Sequence, residues 1–400
     1  MTNHHVLIIG GGIAGPALAL FLDRAGIAST IYEAYPQVGD LGGGLQIAPN
    51  GMHVLTQLGI AEQLESKGVE GVNLSLENQS GKLLGCITNS DPVKYGAPAV
   101  QMSRSLLHKT LMQEVDKRRI PVIYQKRLKD LSFRKEGVVA HFADGSTSEG
   151  SLLVGADGIH SQTRQILFPL GPHPFYTGLL TIGGFSSHAA LKPAAPSGAR
   201  TSHMIFGRNG FFGYGYYDEE KPDSVMWWSH LRRENETPRA DHSASTDELR
   251  QDLLEHHKGW HQPVEMILRN ATELLTGPVY DVASLPTWWK DRAILIGDAA
   301  HATSPHAGQG ASLALEDAMY LAKMLRNPSI AHRDAFENFT RERRNRVERI
   351  VAEARRRGNN KKELSPAASW MRDRAISIYT RVSGNRMNDW MYSYKIAWDT

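Results

Sequence analysis

The stretch that most constrains the fold is Val6–Glu33. A short apolar run, Val6–Ile9, ends at the turn Gly10-Gly11-Gly12-Ile13-Ala14-Gly15. A helical pattern, Pro16–Ala25, and a β-prone run, Ser29–Glu33, follow. A glycine-rich turn between a buried strand and a helix predicts a β-turn-α-β unit. In such a unit Gly10 permits the tight turn, Gly12 lets the backbone approach a pyrophosphate, and Gly15 lets the helix pack closely on the strand. The helix start offers N–H donors and the positive end of its dipole to phosphates. Glu33 ends the second strand eighteen residues after Gly15, placed to accept hydrogen bonds from a ribose diol. The pattern indicates a dinucleotide site and does not separate NAD from FAD.

No charge falls between Val6 and Leu22, which superficially mimics an export signal or a membrane span. The preceding MTNHH carries no Lys or Arg, and four glycines and a proline interrupt the run. The expectation is therefore a buried strand, turn and helix, with no integral membrane association. The chain has 400 residues, enough for one large or two modest domains, and its formal charge of +3 is too balanced to mark a nucleic-acid binder. Cys86 is the single cysteine, which excludes an intramolecular disulfide, a Cys-rich zinc site and a CxxxxC flavin–disulfide reductase. A reducing, cytoplasmic location fits. The histidines lack metal-binding spacing, and no metal is expected.

Further along, Gly42-Gly43-Gly44 marks closely approached or flexible backbone. Gly51–Leu58, Ala61–Lys67 and Ser103–Arg118 have helical spacing, and Asn73–Leu76 with Gly81–Ile87 reads as a hairpin. Val122–Tyr124, Leu128–Arg134, Val138–Ala143 and Ser151–Gly155 read as strands, with a turn at Asp144-Gly145. Phe175–Trp228 is aromatic and β-prone around a Pro/Ala loop, Leu191–Gly198. Thr246–Lys258, Gly310–Leu325, Ala335–Arg357 and the tail Pro366–Asp399 read as helix, and Pro278–Leu285 and Ala293–Gly297 as strands. The alternation predicts an α/β fold: a Rossmann-like nucleotide-binding domain with an inserted β-rich substrate domain and C-terminal helices. The expected division is 1–174 plus 276–357, with 175–275 as the insert and 358–400 as a helical tail. Residues 71–100 are candidates to lend strands to the insert.

A second motif resolves the cofactor. Ala293–Ala318 reads AILIGDAAHATSPHAGQGASLALEDA, a strand ending at Gly297-Asp298, a loop of small residues, and a helix opening near Gly310. Asp298 can accept hydrogen bonds from a polyol chain, and the helix start Gly308–Ser312 can aim N–H groups at an electron-rich ring, as in a reduced flavin. Gly310 is expected to give the backbone room beside that ring, with a positive φ that a β-branched residue would strain. A third motif, Gly155-Ala156-Asp157-Gly158-Ile159-His160-Ser161, is by itself most often a plain turn.

Together the three motifs resemble FAD-dependent monooxygenases of the p-hydroxybenzoate hydroxylase type. Salicylate-, urate- and 6-hydroxynicotinate-hydroxylase-like members resemble the chain most, with tetracycline-inactivating monooxygenases as further relatives. The resemblance runs from Val6 to about Arg357 and includes Ala48–Gly51, the helix with Arg104 and Leu107, and the basic helix Arg341–Arg357. It implies non-covalent FAD, NADH or NADPH as co-substrate, and hydroxylation by O2 through a flavin C4a-hydroperoxide. The substrate it implies is a small aromatic or enolic molecule, and the expected assembly is a monomer or homodimer.

By the same resemblance Gly12, Ala14 and Gly15 form the pyrophosphate turn and Glu33, beside Ala34, binds the ribose. Gln46 lies near the flavin, Arg104 reaches phosphates or ribityl, and the Leu128 backbone meets adenine. Asp298 binds ribityl, Gly308, Gly310, Ala311 and Ser312 face the isoalloxazine, and Asp157 supports both FAD and NAD(P)H. Many relatives carry Gly where Ala14 and Ala311 stand. The alternative is another flavin-dependent oxidoreductase, an oxidase or a halogenase, on the same scaffold, and the absence of the WxWxIP signature counts against the halogenase.

The aromatic residues of Phe175–Trp228 can build a core or line a pocket. Phe206, Phe212, Tyr214, Pro305 and His306 are the candidate substrate contacts. His301 and His306 flank the flavin loop, and no residue is assigned as general base. The cations of Arg341–Lys362 alternate with Glu342, Glu348 and Glu353, the pattern of a solvated, ion-paired helix and not of a nucleic-acid surface.

Overall fold

The computed structural model describes residues 5–36, 42–71, 73–191, 201–233, 246–359, 364–383, 386 and 388–399. Its first layer is a six-stranded sheet in the order Trp289–Lys290, Ala293–Leu295, Leu152–Gly155, His5–Ile9, Ala28–Tyr32, Val122–Ile123. All neighbours are parallel except the first two strands. Val6, Leu7, Ile8, Leu153, Val154 and Ile294 are fully buried, as expected for strands covered on both faces. Helix Ala14–Arg24 is buried from Ala14 to Leu22, so its apolar residues run all round and not along one stripe. A Cβ at Gly15 would lie 2.0 Å from Gly10 O, which shows how closely the helix start meets the turn.

A second, seven-stranded sheet runs Ala271–Asp281, Phe175–Ser187, Ser224–Arg232, Phe211–Tyr216, Thr201–Phe206, Asn73–Asn78, Leu83–Thr88. The hairpin of residues 73–88 joins it through a parallel pairing of Asn73–Asn78 with Thr201–Phe206. The strand expected at Pro278–Leu285 instead begins at Ala271 and ends at Asp281, crossing the anticipated boundary at 275/276. Its first half, ATELL, has four good helix formers around one threonine, and pairing with Phe175–Ser187 overrides that preference. Residues 192–198 of the expected Pro/Ala loop lie outside the described residues.

One face of this sheet carries Ile182, Ile205, Phe212, Tyr214, Val225, Trp227 and Leu231, packed with Leu253, Val264, Ile267 and Leu268. The last four belong to helices Thr246–His256 and Val264–Arg269. The opposite face meets the nucleotide half. A small sheet of Gly44–Ile47, Val100–Ser103 and Val69–Glu70 links the two halves, so the triple glycine leads into a strand.

The tail does not form one continuous helix. Helix Pro366–Ser383 packs on strand Leu83–Thr88, where a Cβ at Gly85 would meet the Thr380 side chain at 2.3 Å. Met391, Tyr392, Ile396 and Trp398 return to the core of the nucleotide half, with Trp398 5.2 Å from Phe21. No helix among the described residues is long and apolar enough to cross a membrane.

Candidate active site

Two strand–turn–helix units converge. At the first, Gly10 has φ +112, and a Cβ there would lie 2.4 Å from Ala156 O, so the chain itself fills that space. Gly12 has no protein atom within 4 Å of its Cβ position and faces open space. No side chain caps helix Ala14–Arg24, and its first intrahelical bond is Ala17 N–H to Ile13 O at 3.2 Å. The N–H groups of its first turn are therefore free to meet an anion. Glu33 already organises this turn, accepting from Gly11 N–H at 2.7 Å and Tyr35 N–H at 2.9 Å. Each carboxylate oxygen keeps a lone pair for a hydroxyl. His108, one turn after Arg104 on its helix, holds Gly11 O at 2.7 Å through Nε2, a contact that no sequence signal announced.

At the second unit Gly297 lies between the two helices. Its Cβ position is 3.3 Å from Ala14 Cβ and 3.4 Å from Ala314 Cβ. Helix Gly310–Leu325 also lacks a side-chain cap, and its first bond is Leu313 N–H to Gln309 O at 2.8 Å. The N–H groups of Gly310, Ala311 and Ser312 thus have no acceptor within the helix.

The left-handed residue of the loop is Gly308, at φ +62, where it closes the short 3-10 turn Pro305–Ala307. Gly310 is not left-handed, and a Cβ there would meet only Thr303 Cγ2 at 3.7 Å. The expectation of positive φ at Gly310 is corrected to Gly308. A Gly-Gln-Gly triplet does not disclose which glycine ends the turn.

Asp298 is reached by solvent yet enclosed in depth, as a carboxylate at the floor of a cleft would be, and burial raises its pKa against the pull of His301, Arg104 and Arg164. No hydrogen-bond donor among the described residues engages its carboxylate. Arg104 opens its helix beside Gly42, whose Cβ position lies 3.0 Å from Arg104 Cδ.

Asp157 is occupied differently. Its carboxylate takes the Ser161 hydroxyl and both the N–H and hydroxyl of Thr163 at 2.9 Å, fixing the start of helix Gln162–Leu167. Arg164 on that helix is buried and donates to Ala299 O at 3.1 Å and to Ile159 O, tying the Asp157 loop to the Asp298 loop. Sequence reading missed Arg164 because a lone arginine on a short helix carries no pattern.

Beneath the second unit lies a buried ionic cluster. Arg343, 0% exposed, sits 2.6 Å from Glu316 Oε2 as a close ion pair off the hydrogen-bond axis, and its Nε donates to Asp317 Oδ1 at 2.8 Å. Asn50 joins Glu316 at 2.6 Å to Gln309 at 3.0 Å, and Arg346 joins Glu316 at 2.7 Å. Asp317 Oδ2 accepts from Gly297 N–H at 2.9 Å and lies 2.6 Å from His301 Nε2. Burial would raise Asp317, but His301 and Arg343 hold it down at about 2. His301 is thus a partner of this cluster.

The remaining residues fall into place around these units. Gln46 pairs across strands with Gln101, and its buried Nε2 has no partner. Ala34 follows Glu33, and Lys126 N–H donates to Glu33 O at 2.8 Å, two residues before buried Leu128. Ser312 Oγ is buried and unpartnered.

Among the substrate candidates, Pro305 and His306 lie in the loop, and the His306 ring is 4.8 Å from His230 of the large sheet. Phe212 and Tyr214 do not share that side. They lie in the core under the two helices, with Phe212 stacked 5.7 Å from Trp227. Strand alternation puts Phe211, Gly213 and Gly215 on the other face. Phe206 packs 5.4 Å from Phe211, whose ring is 5.8 Å from His230, and lies beneath Arg372 of the C-terminal helix.

Gly12 open to space, two uncapped helix starts side by side, and an unpartnered acceptor below them fit a dinucleotide with a polyol-linked ring, and hence FAD. Fold and site define a flavoprotein. A family model described as FAD binding domain matches residues 3–354, and the chain belongs to that family.

The chain is 29% identical to 3-amino-4-hydroxybenzoate 2-monooxygenase PtmB3 of Streptomyces platensis, over 98% of this chain and 96% of that one. It is 28% identical to 6-hydroxynicotinate 3-monooxygenase of Pseudomonas fluorescens, over 86% and 89%. A salicylate hydroxylase substrate complex superimposes with TM-score 0.80 at 25% identity, covering 98% and 96%. Klebsiella pneumoniae HpxO complexed with FAD and uric acid gives TM-score 0.84 at 22% identity, covering 98% and 97%, and so shares the fold. The protein is an FAD-dependent monooxygenase.

Proposed function

We propose that the protein uses NADH or NADPH and O2 to hydroxylate a small aromatic or enolic molecule held between the large sheet and the loop Pro305–Ser312. The observation that carries this is the inward face of the sheet. Strand register aligns Gly213 with Trp228, Gly215 with Met226 and Thr181 with both His230 and Gly277. Met226 reaches Gly44, whose Cβ position lies 1.8 Å from its sulfur, so this face meets the nucleotide half. Trp228 lies flat over Gly213, where a Cβ would be 2.5 Å from its ring, and Gly277 faces open space. Trp228 fills the space a side chain at Gly213 would take, and the open position at Gly277, beside Thr181 and His230, gives a flat ring room along that aromatic face.

FAD, when bound, supplies hydride acceptance from the nicotinamide and activation of O2. The chain's own residues do the rest. Gly12 and the start of helix Ala14–Arg24 receive the pyrophosphate, Glu33 the ribose, and Asp298 with Arg104 the linking chain. The N–H groups of Gly310, Ala311 and Ser312 stabilise negative charge on the ring. Arg164 and Asp157 fix the loop beside Asp298. Thr181 Oγ1 holds His230 Nδ1 at 3.0 Å, which orients that imidazole beside the open position at Gly277.

Hydroxylated benzoates and nitrogen heterocycles are the substrate class to try first, in keeping with the relatives' names. The reading also divides the chain into a nucleotide unit built on the six-stranded sheet and a substrate unit built on the seven-stranded one, in a cytoplasmic enzyme. The test is NAD(P)H oxidation under 18O2 across such compounds. Labelled product is expected from at least one. Peroxide release equal to NAD(P)H consumed with every compound, and no label in any product, would make the protein an oxidase.

A further inference from the structure

The C-terminal helix Pro366–Ser383 turns its polar residues Ser369, Arg372, Asp373 and Thr380 inward around Ile376, which packs against Leu76, Leu84 and Ile87. Thr380 is buried, and its hydroxyl donates to Ile376 O at 2.9 Å. Arg372 donates to Gly207 O at 2.6 Å and Phe206 O at 3.2 Å. Asp373, the one acid of this helix, accepts from Asn78 at 3.1 Å and pairs with Arg372 at 2.7 Å.

Outward stand Trp370, Met371, Ile378, Tyr379 and Val382, exposed by 61%, 58%, 62%, 48% and 81%. At about 100° per residue, Met371, Ala375, Ile378 and Val382 fall in an arc of roughly 60°. Trp370, Arg374 and Arg381 lie along one flank of that arc and Tyr379 along the other. A solvated helix places these faces the other way round, and a contiguous apolar patch of this kind marks a binding surface.

Charge decides what covers it. The exposed face carries Arg374 and Arg381 and no carboxylate. A second copy laid antiparallel on the stripe would bring the arginines of both copies together with nothing on that face to neutralise them. Beside Trp370, a recess of about 100 Å3 adds exposed Lys82 to Arg374, while Asp373 on its wall is already engaged by Arg372. Cations flanking an apolar stripe, with Trp and Tyr at its margins, match the layered chemistry of a bilayer surface with anionic headgroups.

We propose that this helix docks the enzyme peripherally on an anionic lipid surface, lying flat with its apolar stripe at the acyl boundary and Lys82, Arg374 and Arg381 on phosphates. The docking face is separate from the nucleotide turn and stands whether or not the substrate reading does.

The test is flotation of the full-length FAD-loaded protein with vesicles of phosphatidylcholine plus phosphatidylglycerol, and with phosphatidylcholine alone. The protein is expected to float with the anionic vesicles and to lose that partitioning in high salt. Ile378→Glu with Val382→Glu should lower partitioning by about tenfold or more, and Arg374→Glu with Arg381→Glu should do the same. Flavin absorbance of both pairs should match the parent. The proposal is overturned if the parent stays unbound, or if both double variants float as it does. It is equally overturned if the parent is a dimer that Ile378→Glu with Val382→Glu converts to monomer, which assigns the face to a second copy.

Discussion

Arg343→Met removes a fully buried guanidinium from between two buried carboxylates, 2.6 Å from Glu316 and 2.8 Å from Asp317. Methionine retains length and apolar packing, so the change is chiefly one of charge. Removing one member of a buried ion pair typically costs about 3–5 kcal/mol, because the partner is left desolvated. Glu316 keeps Arg346 and Asn50, and Asp317 keeps His301 and Gly297 N–H, which places the expectation near the lower figure.

The pH dependence carries a second signature. Asp317 is held at about 2, below its ordinary 3.8. A depressed carboxylate contributes stability that is present above the unfolded pKa and lost as pH falls through the folded one, here about 2–3 kcal/mol. Loss of Arg343 lets Asp317 rise, so the deficit of the variant should be full near neutral pH and shrink below the unfolded pKa.

The assay is urea unfolding of the FAD-loaded enzyme, followed by circular dichroism and flavin fluorescence from neutral to acid pH. Because Asp317 holds Gly297 N–H beside Ala14, flavin should be released earlier in the urea series than the fold is lost. A variant with the parent's midpoint and the parent's FAD retention would refute the idea that this cluster fixes the second unit.

Asp298→Ala should weaken FAD affinity by about 1.5–3 kcal/mol while leaving apoprotein stability unchanged or higher, since an unpartnered carboxylate is removed; equilibrium FAD titration with thermal unfolding decides it. Gly12→Val should fold normally and fail to retain FAD, whereas Gly15→Val should misfold against Gly10 O, and comparing soluble yield with flavin content separates the two roles. Gly308→Ala should cost about 1–2 kcal/mol and Gly310→Ala distinctly less, measured by denaturant midpoint, because only Gly308 is left-handed. Burial and His256 hold His257 down at about 3, below its ordinary 6.5. Stability contributed by this neutral imidazole should be full above about pH 6.5 and fall toward pH 3, as the unfolded chain takes up the proton first. His257→Phe should flatten the stability profile over that range, and an unchanged acid slope would remove His257 from the account.

The two strand–glycine–helix units, most element boundaries and the cofactor class were legible in the sequence, because each is written over a few consecutive residues. A buried strand must be apolar, a tight turn must contain glycine, and Gly310–Leu325 had to be helical by its spacing. The helix-rich start of Ala271–Asp281 hid a strand that only its neighbour specifies, and strand Thr147–Gly150 was too short and polar to stand out. His108 and Arg164 went unseen for a similar reason, since each acts on a carbonyl far away in the chain.

What the sequence by itself determined is thus the nucleotide half and its FAD chemistry. What only the tertiary structure decided is orientation. Alternation in Phe211–Tyr216 is equally consistent with either face turned to the flavin, and packing of Thr246–His256 and Val264–Arg269 committed Phe212 and Tyr214 to the core and Phe211, Gly213 and Gly215 to the opposite face. The same holds for Arg343 and Arg346, which the alternating charges of Arg341–Lys362 placed on a solvated helix and which pack against the buried Glu316 and Asp317 of another helix. Local pattern determines conformation through sterics and burial period. Which face meets which neighbour, and which buried charge is neutralised, depends on pairings between distant segments that no local window contains.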